Sequence, residues 1–300
     1  MQLFYSDTFV LPLPPGHRFP MEKYARLRQT LLDEGYPPAD FILPEAASRE
    51  DLCRAHDPVY VERVCSGQLT PEEMRQIGFP WSDAMVERSR RSAGATLGAC
   101  RAALAQGWGV NLAGGTHHAA HAAGAGFCVF NDAAVAARAL QAQDGVGQVA
   151  VIDCDVHQGD GTARILEGDA SVFTFSIHGA RNYPFAKARS DLDIELPDGC
   201  DDAAYLAALE QGLADLFNRC RPQLAIYLAG ADPYAGDRLG RLSLTMAGLE
   251  ARDERILAAC RERGIPVAIA MAGGYARNIG DTVAIHANTI RCARRHFEQR

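Results

Sequence analysis

Three hundred residues, 48% apolar and 22% charged, are enough to bury a large core, which excludes a peptide module and extended disorder. A net charge of −7, from 37 acidic against 30 basic residues, argues against a general phosphate-backbone binder, which needs a clustered basic surface; no nucleic-acid partner is expected. Nine scattered cysteines without a Cys-x-x-Cys pair, a start lacking the marks of a leader, and no apolar run near the roughly 18 residues of a span predict a reduced, cytoplasmic protein with no membrane partner.

The first 80 residues carry Pro12, Pro14, Pro15, Pro20, Pro37, Pro38, Pro44 and Pro58. Proline fixes φ and removes a donor, so this part is expected to be largely irregular, with helices near 21–34 and 58–66, wrapped against a sheet. From residue 82 onward, short apolar runs at 109–113, 149–153, 172–177, 224–229 and 267–272 predict strands. Helical patterns fall near 83–106, 128–143, 160–168, 202–219, 246–263 and 280–297. Strands apolar on both faces, each followed by a helix, predict an α/β fold with a central parallel β-sheet and helices on both faces. No linker, repeat or low-complexity tract interrupts the chain, and residues 1–300 form one expected domain.

Ligands bind beyond the carboxyl ends of strands in such sheets. Those ends carry Gly114-Gly115-Thr116-His117-His118, Asp153-Cys154-Asp155-Val156-His157, Ser176-Ile177-His178, Gly230-Ala231-Asp232 and Gly273-Gly274-Tyr275. Asp153, Asp155 and His157 alternate along an extended segment and share one face. Two of them, together with Asp232 from another strand end, make an Asp-His-Asp set suited to zinc or ferrous iron with a position open for water. A single Asp at a strand end usually meets turn amides; this combination favours a metal. His117 and His118 are adjacent proton-transfer candidates, with Asp153 and Asp160 available to orient them. Tyr275, freed by two glycines, either faces the metal or packs as a buried aromatic.

The bland readings win elsewhere. Gly124-Ala125-Gly126-Phe127 is not a phosphate cradle, and is expected to form a channel wall. His121 and His286 are expected to be structural, and Cys128 and Cys154 small buried residues rather than nucleophiles. Arg88, Arg90 and Arg91 are expected on a solvated helix face.

Taken with Gly126-Phe127-Cys128-Val129-Phe130-Asn131-Asp132, the run Asp153 to Gly161 and His56-Asp57-Pro58-Val59-Tyr60-Val61, these motifs resemble the zinc-dependent histone deacetylase superfamily over nearly the whole chain. Gly78-Phe79-Pro80-Trp81-Ser82, Arg181-Asn182-Tyr183-Pro184 and Gly236-Asp237-Arg238-Leu239-Gly240 look most like its class IV branch and bacterial relatives. The resemblance implies an arginase-deacetylase fold and hydrolysis of an acyl-lysine on a protein or peptide, or of a small N-acyl amine such as an acetylpolyamine. It implies zinc (or iron) on Asp155, His157 and Asp232, His117 and His118 backed by Asp153 and Asp160, and Tyr275 on the carbonyl oxygen. It further implies K+ or Na+ near Asp153, Ser176 and the carbonyls of Asp155, His157 and Ile177. Gly126, Phe127, Tyr183, Pro184 and Leu239 are the expected substrate channel, and Gln158, where many relatives have His, is expected to bear on its rim. Two rivals make different demands. A two-metal ureohydrolase on this fold needs Asp-x-Asp where Asp232-Pro233-Tyr234 stands, and an inactive acyl-lysine binding module predicts a lost ligand or tyrosine.

Overall fold

The structure, a computed structural model, describes residues 1–298. Its strands are β1 (Leu3–Phe4), β2 (Phe41–Ile42), β3 (Trp108–Asn111), β4 (Val149–Asp153), β5 (Val172–Gly179), β6 (Leu192–Leu196), β7 (Leu224–Leu228) and β8 (Val267–Ala270). They pair in the order β2-β1-β3-β8-β7-β4-β5-β6, every pair parallel. Register puts Asn111, Ala270, Leu228, Asp153 and Ser176 in one row across the middle of the sheet, so the loops that follow five strands leave from the same edge.

The helices are α1 (Glu22–Asp33), α2 (Arg49–Cys53), α3 (Pro58–Cys65), α4 (Pro71–Ile77), α5 (Asp83–Gln106), α6 (Asp132–Gln143), α7 (Asp160–Ile165), α8 (Asp202–Arg219), α9 (Met246–Glu262) and α10 (Ile279–Glu298). Alternate strand residues feed two cores. Val149, Val151 and Ile226 pack with the alanine-rich faces of α5 and α6, whereas Ala150, Ile152 and Tyr227 pack with α1, α8, α9 and α10. Both faces are therefore covered, as the doubly apolar strands require. Side-chain caps from Ser82, Asn131, Asp201 and Thr245 begin α5, α6, α8 and α9, each worth about 1 kcal/mol. The Asn131 cap is also why α6 starts at Asp132, later than the apolar pattern from 128 suggests.

The N-terminal part departs from expectation. It supplies β1 and β2 to one edge of the sheet and adds α2 and α4, the latter closed by a Thr70–Glu73 capping box. β6, at the opposite edge, was also hidden: its Asp-Ile-Glu alternation lacks the continuous apolar run of a central strand. Arg88 is buried, its Nη1 donating to the Ser6 and Phe9 carbonyls, and half-buried Arg90 and Arg91 donate to the Ala47 and Pro44 carbonyls, so the expected solvated face instead clamps the N-terminal segment. Among the described residues no helix is long and apolar enough to cross a membrane.

Candidate active site

The segment after β4 folds back through its own carboxylates. Asp153 Oδ1 accepts from the Asp155 amide at 3.1 Å, and Asp155 Oδ1 from the His157 amide at 3.0 Å. Asp155 Oδ2 accepts from the Gly273 amide (2.7 Å), and Asp232 Oδ1 from the Val156 amide (2.8 Å), tying the ends of β4, β7 and β8 together. What remains free converges. His157 Nδ1 lies 2.9 Å from Asp155 Oδ1 and 3.3 Å from Asp232 Oδ2, and donor atoms of the three residues lie within 4.8 Å of one another. Asp232 Oδ2 is buried without a hydrogen-bond partner. Burial and the neighbouring Asp155 push Asp232 up to about 7, the mark of a site short of positive charge. A side chain at Gly273 would also enter this space, its Cβ 2.1 Å from Asp232 Oδ2 and 2.5 Å from Asp155 Oδ2. An orphaned buried oxygen, two carboxylates and an imidazole facing one point fit a divalent metal.

His117 and His118 stand beside this point, ring centroids 4.2 Å apart. His117 Nδ1 and Asp153 Oδ2 are 2.6 Å apart; His118 Nδ1 and Asp160 Oδ1 are 2.8 Å apart. Burial pulls His117 down, but Asp153 and Asp155 overcome it and hold the ring up at about 9. His118 goes the other way: burial and the charge on His117 lower it to about 4 despite Asp160. A neutral His118 that donates from Nδ1 to Asp160 keeps its Nε2 lone pair for a proton. The loop carrying both rings is pinned by Asp132, whose carboxylate accepts from the Gly115 and Thr116 amides at 2.9 and 2.7 Å, and by Asn131 Nδ2, which donates to the Ala119 carbonyl.

Tyr275 is buried, and burial followed by the charge of Asp155 raises its phenol well above the usual range, so it stays a donor. Its amide donates to Asp237 Oδ2 (2.6 Å) and its carbonyl accepts from Arg238 Nε (3.0 Å). Lys23 Nζ sits 5.3 Å from its ring and donates to the carbonyls of Ala272 and Gly274. Behind the sheet, fully buried Arg252 donates to the Gly230 carbonyl (2.6 Å) and the Cys154 carbonyl (3.3 Å), clamping the segments that carry Asp155 and Asp232, and pairs with Asp253.

A cavity of about 440 Å³ leads to these groups. Gly126, Phe127, Tyr183 and Leu239 line it; Pro184, expected there too, is buried and does not. The Tyr183 ring meets His118 edge-on at 4.8 Å, and Phe127 lies 6.0 Å from Tyr275. Gly126 has φ +53, and a Cβ there would come 2.6 Å from His118 Cδ2, so glycine is needed twice over. Gln158 is not at the rim: it is buried and braces residue 188 through both its amide atoms. Asp153 and Ser176 are register partners, with Ser176 Oγ 2.9 Å from His178 Nδ1. His121 bonds the Ala55 carbonyl through Nδ1, His286 is buried, and burial holds the thiols of Cys128 and Cys154 up. Sequence assigned no role to Asp237, although its motif was visible, and gave no signal for Lys23 or Arg252.

The fold has solved counterparts. A histone deacetylase homologue from Aquifex aeolicus superposes with a TM-score of 0.84 at 22% identity, over 97% of this chain and 83% of that one. An acetylpolyamine aminohydrolase from Burkholderia pseudomallei gives 0.75 at 23% identity, over 98% and 99%. The chain thus shares its overall fold with both structures. The histone deacetylase domain pattern matches residues 17–290, and the chain belongs to that family. A histone deacetylase-like amidohydrolase of Pseudomonas aeruginosa is 32% identical, covering 88% of this chain and 74% of its own. An uncharacterized protein of Picosynechococcus sp. is 44% identical over 97% of both chains.

Proposed function

We propose that this protein hydrolyses an N-acyl amide, on a lysine side chain or a similar amine, with one zinc ion (or ferrous iron) held by Asp155, His157 and Asp232. The buried, unpartnered Asp232 Oδ2 facing His157 Nδ1 at the floor of an aromatic-walled cavity carries this reading. A bound ion supplies Lewis acidity toward the attacking water and the acyl carbonyl. Phe127 and Tyr183 flank the aliphatic stem of the substrate and exclude water from it. His118 takes the proton of the attacking water at Nε2 while Asp160 holds its ring in place. His117, kept protonated by Asp153, offers charge and then a proton for the leaving amine; the pair titrates together, and the two roles belong to it jointly. Tyr275 donates to the carbonyl oxygen as negative charge grows there. Asp153 and Ser176, with the carbonyls of Asp155, His157 and Ile177, are the proposed ligands of a K+ or Na+ ion behind His117. Nine free thiols among the described residues support a reducing, cytoplasmic setting.

Metal analysis of protein purified without added metal, combined with turnover of acetyl-lysine peptides, long-chain acyl-lysine peptides and acetylpolyamines, tests the reading. About one divalent ion per chain with turnover is expected. Two ions point to a ureohydrolase, and none, with peptide binding but no turnover, to a binding module.

A further inference from the structure

The cavity meets solvent through five exposed residues: Arg18, Arg181, Tyr183, Phe185 and Arg241. Among the described residues, the only carboxylates that line it are Asp155 and Asp232, at its floor. Arg181 and Arg241 both point at Asp198 Oδ2, at 3.6 and 3.2 Å, so a single carboxylate is divided between two guanidinium groups. Arg18 has no ion-pair partner among the described residues. The loops that carry Arg181 and Arg241 are stitched together by buried Asn182, whose Nδ2 donates to the Leu239 carbonyl (2.8 Å) and whose Oδ1 accepts from the Arg241 amide (3.2 Å). Backbone bonds therefore fix where two of the charges emerge. The rings of Tyr183 and Phe185, their centroids 6.3 Å apart, share the mouth with them, and Tyr183 reaches within 4.8 Å of the His118 ring, so an apolar stem fits below and charge is left to be recognised outside it.

The mouth thus carries a local excess of positive charge on a chain whose net charge is −7. A cleft lined by one sign of charge raises the local concentration of the opposite sign and repels its own. We propose that the mouth selects acyl-amine substrates with a carboxylate just beyond the aliphatic stem, and disfavours polycations such as acetylpolyamines. This deepens the amide-hydrolase reading and rests on it. The carboxylate has two available sources, the main-chain carboxylate of free acyl-lysine or acidic side chains flanking an acyl-lysine in a peptide.

The test separates binding from turnover. Two hydroxamates of equal chain length, one ending in a carboxylate and one in an ammonium, are titrated into the zinc-loaded full chain by calorimetry. The carboxylate is expected to bind about tenfold more tightly at low salt, since a few exposed pairs each change affinity by roughly two- to fivefold. The preference should shrink at about 0.5 M salt, where charges are screened within a few ångströms, and reverse in the Arg18→Glu/Arg241→Glu variant. In turnover, an Asp-flanked acetyl-lysine peptide should exceed an Ala-flanked one, a Lys-flanked one and acetylspermidine in kcat/KM. Free acetyl-lysine against its C-terminal amide then tells which carboxylate source is read. Equal or reversed preference overturns the selectivity, while turnover of the Ala-flanked peptide alone upholds hydrolysis. No turnover of any substrate overturns hydrolysis, and the hydroxamate pair still decides the charge preference.

Discussion

The floor and the mouth of the cavity are built by opposite means. At the floor, carboxylates are held by backbone amides: Asp155 by His157 and Gly273, Asp232 by Val156, Asp237 by Leu239, Gly240 and Tyr275. At the mouth, side chains stand in water; Phe185 is 87% exposed and Tyr183 38%. A side chain held by the main chain cannot move unless the strand end moves, whereas an exposed ring or guanidinium can be exchanged with little effect on the fold. The proposed chemistry thus sits where the sheet dictates geometry, and the proposed selectivity where it does not.

The sharpest way to break that contrast is at a ligand. Asp232→Ala should abolish tight metal binding and bring turnover to background; a purified mutant with a full equivalent of zinc would sink the metal assignment. Tyr275→Phe removes one donor to the oxyanion and keeps the ring. By analogy with loss of one oxyanion donor, kcat should fall about a hundred- to a thousandfold with metal content and Tm nearly unchanged. If kcat stays at the wild-type level, the phenol is a packing group.

Arg252→Met probes how far the floor's order extends behind the sheet. Without its bonds to the Gly230 and Cys154 carbonyls, metal affinity measured by titration should drop by about ten- to a hundredfold. Breaking the buried pair with Asp253 should also cost about 3–5 kcal/mol in denaturant unfolding. Arg252→Lys should recover part of both; unchanged metal affinity in the Met variant would mean that the loops hold themselves. At the mouth the scale falls. Phe185→Ala should shift stability by no more than about 0.5 kcal/mol, and raise KM for a peptide substrate severalfold while leaving kcat alone. A fall in kcat there would erase the distinction between the two ends.

The same contrast governs what could be seen in the sequence. Central strands are continuous apolar runs, so all five expected from 109 onward are present, and each ends in a polar motif at the shared edge. The paired histidines, Asp153, Asp155, His157, Asp160, Asp232 and Tyr275 lie where strand ends put them, because local alternation and sheet topology together fix their direction. What was hidden depends on contacts between distant segments. β1 and β2 are two residues long; β1 exists because β3 offers it a partner, and β2 because β1 does. Arg252 carries no local signal; packing alone places it beneath the Gly230 and Cys154 carbonyls. Arg88 misled for the same reason, since nothing local says that a helix face will be covered by the chain's first residues.

Gly273 gives the site an evolutionary hinge. It is not among the glycines with positive φ, so alanine suits its backbone, yet the added methyl would stand 2.1 Å from the buried Oδ2 of Asp232. A one-carbon change there would fall on the proposed metal position and is expected to cost metal binding before it costs the fold. On the proposed reading, that single methyl would turn a hydrolase into a carrier of acylated ligands.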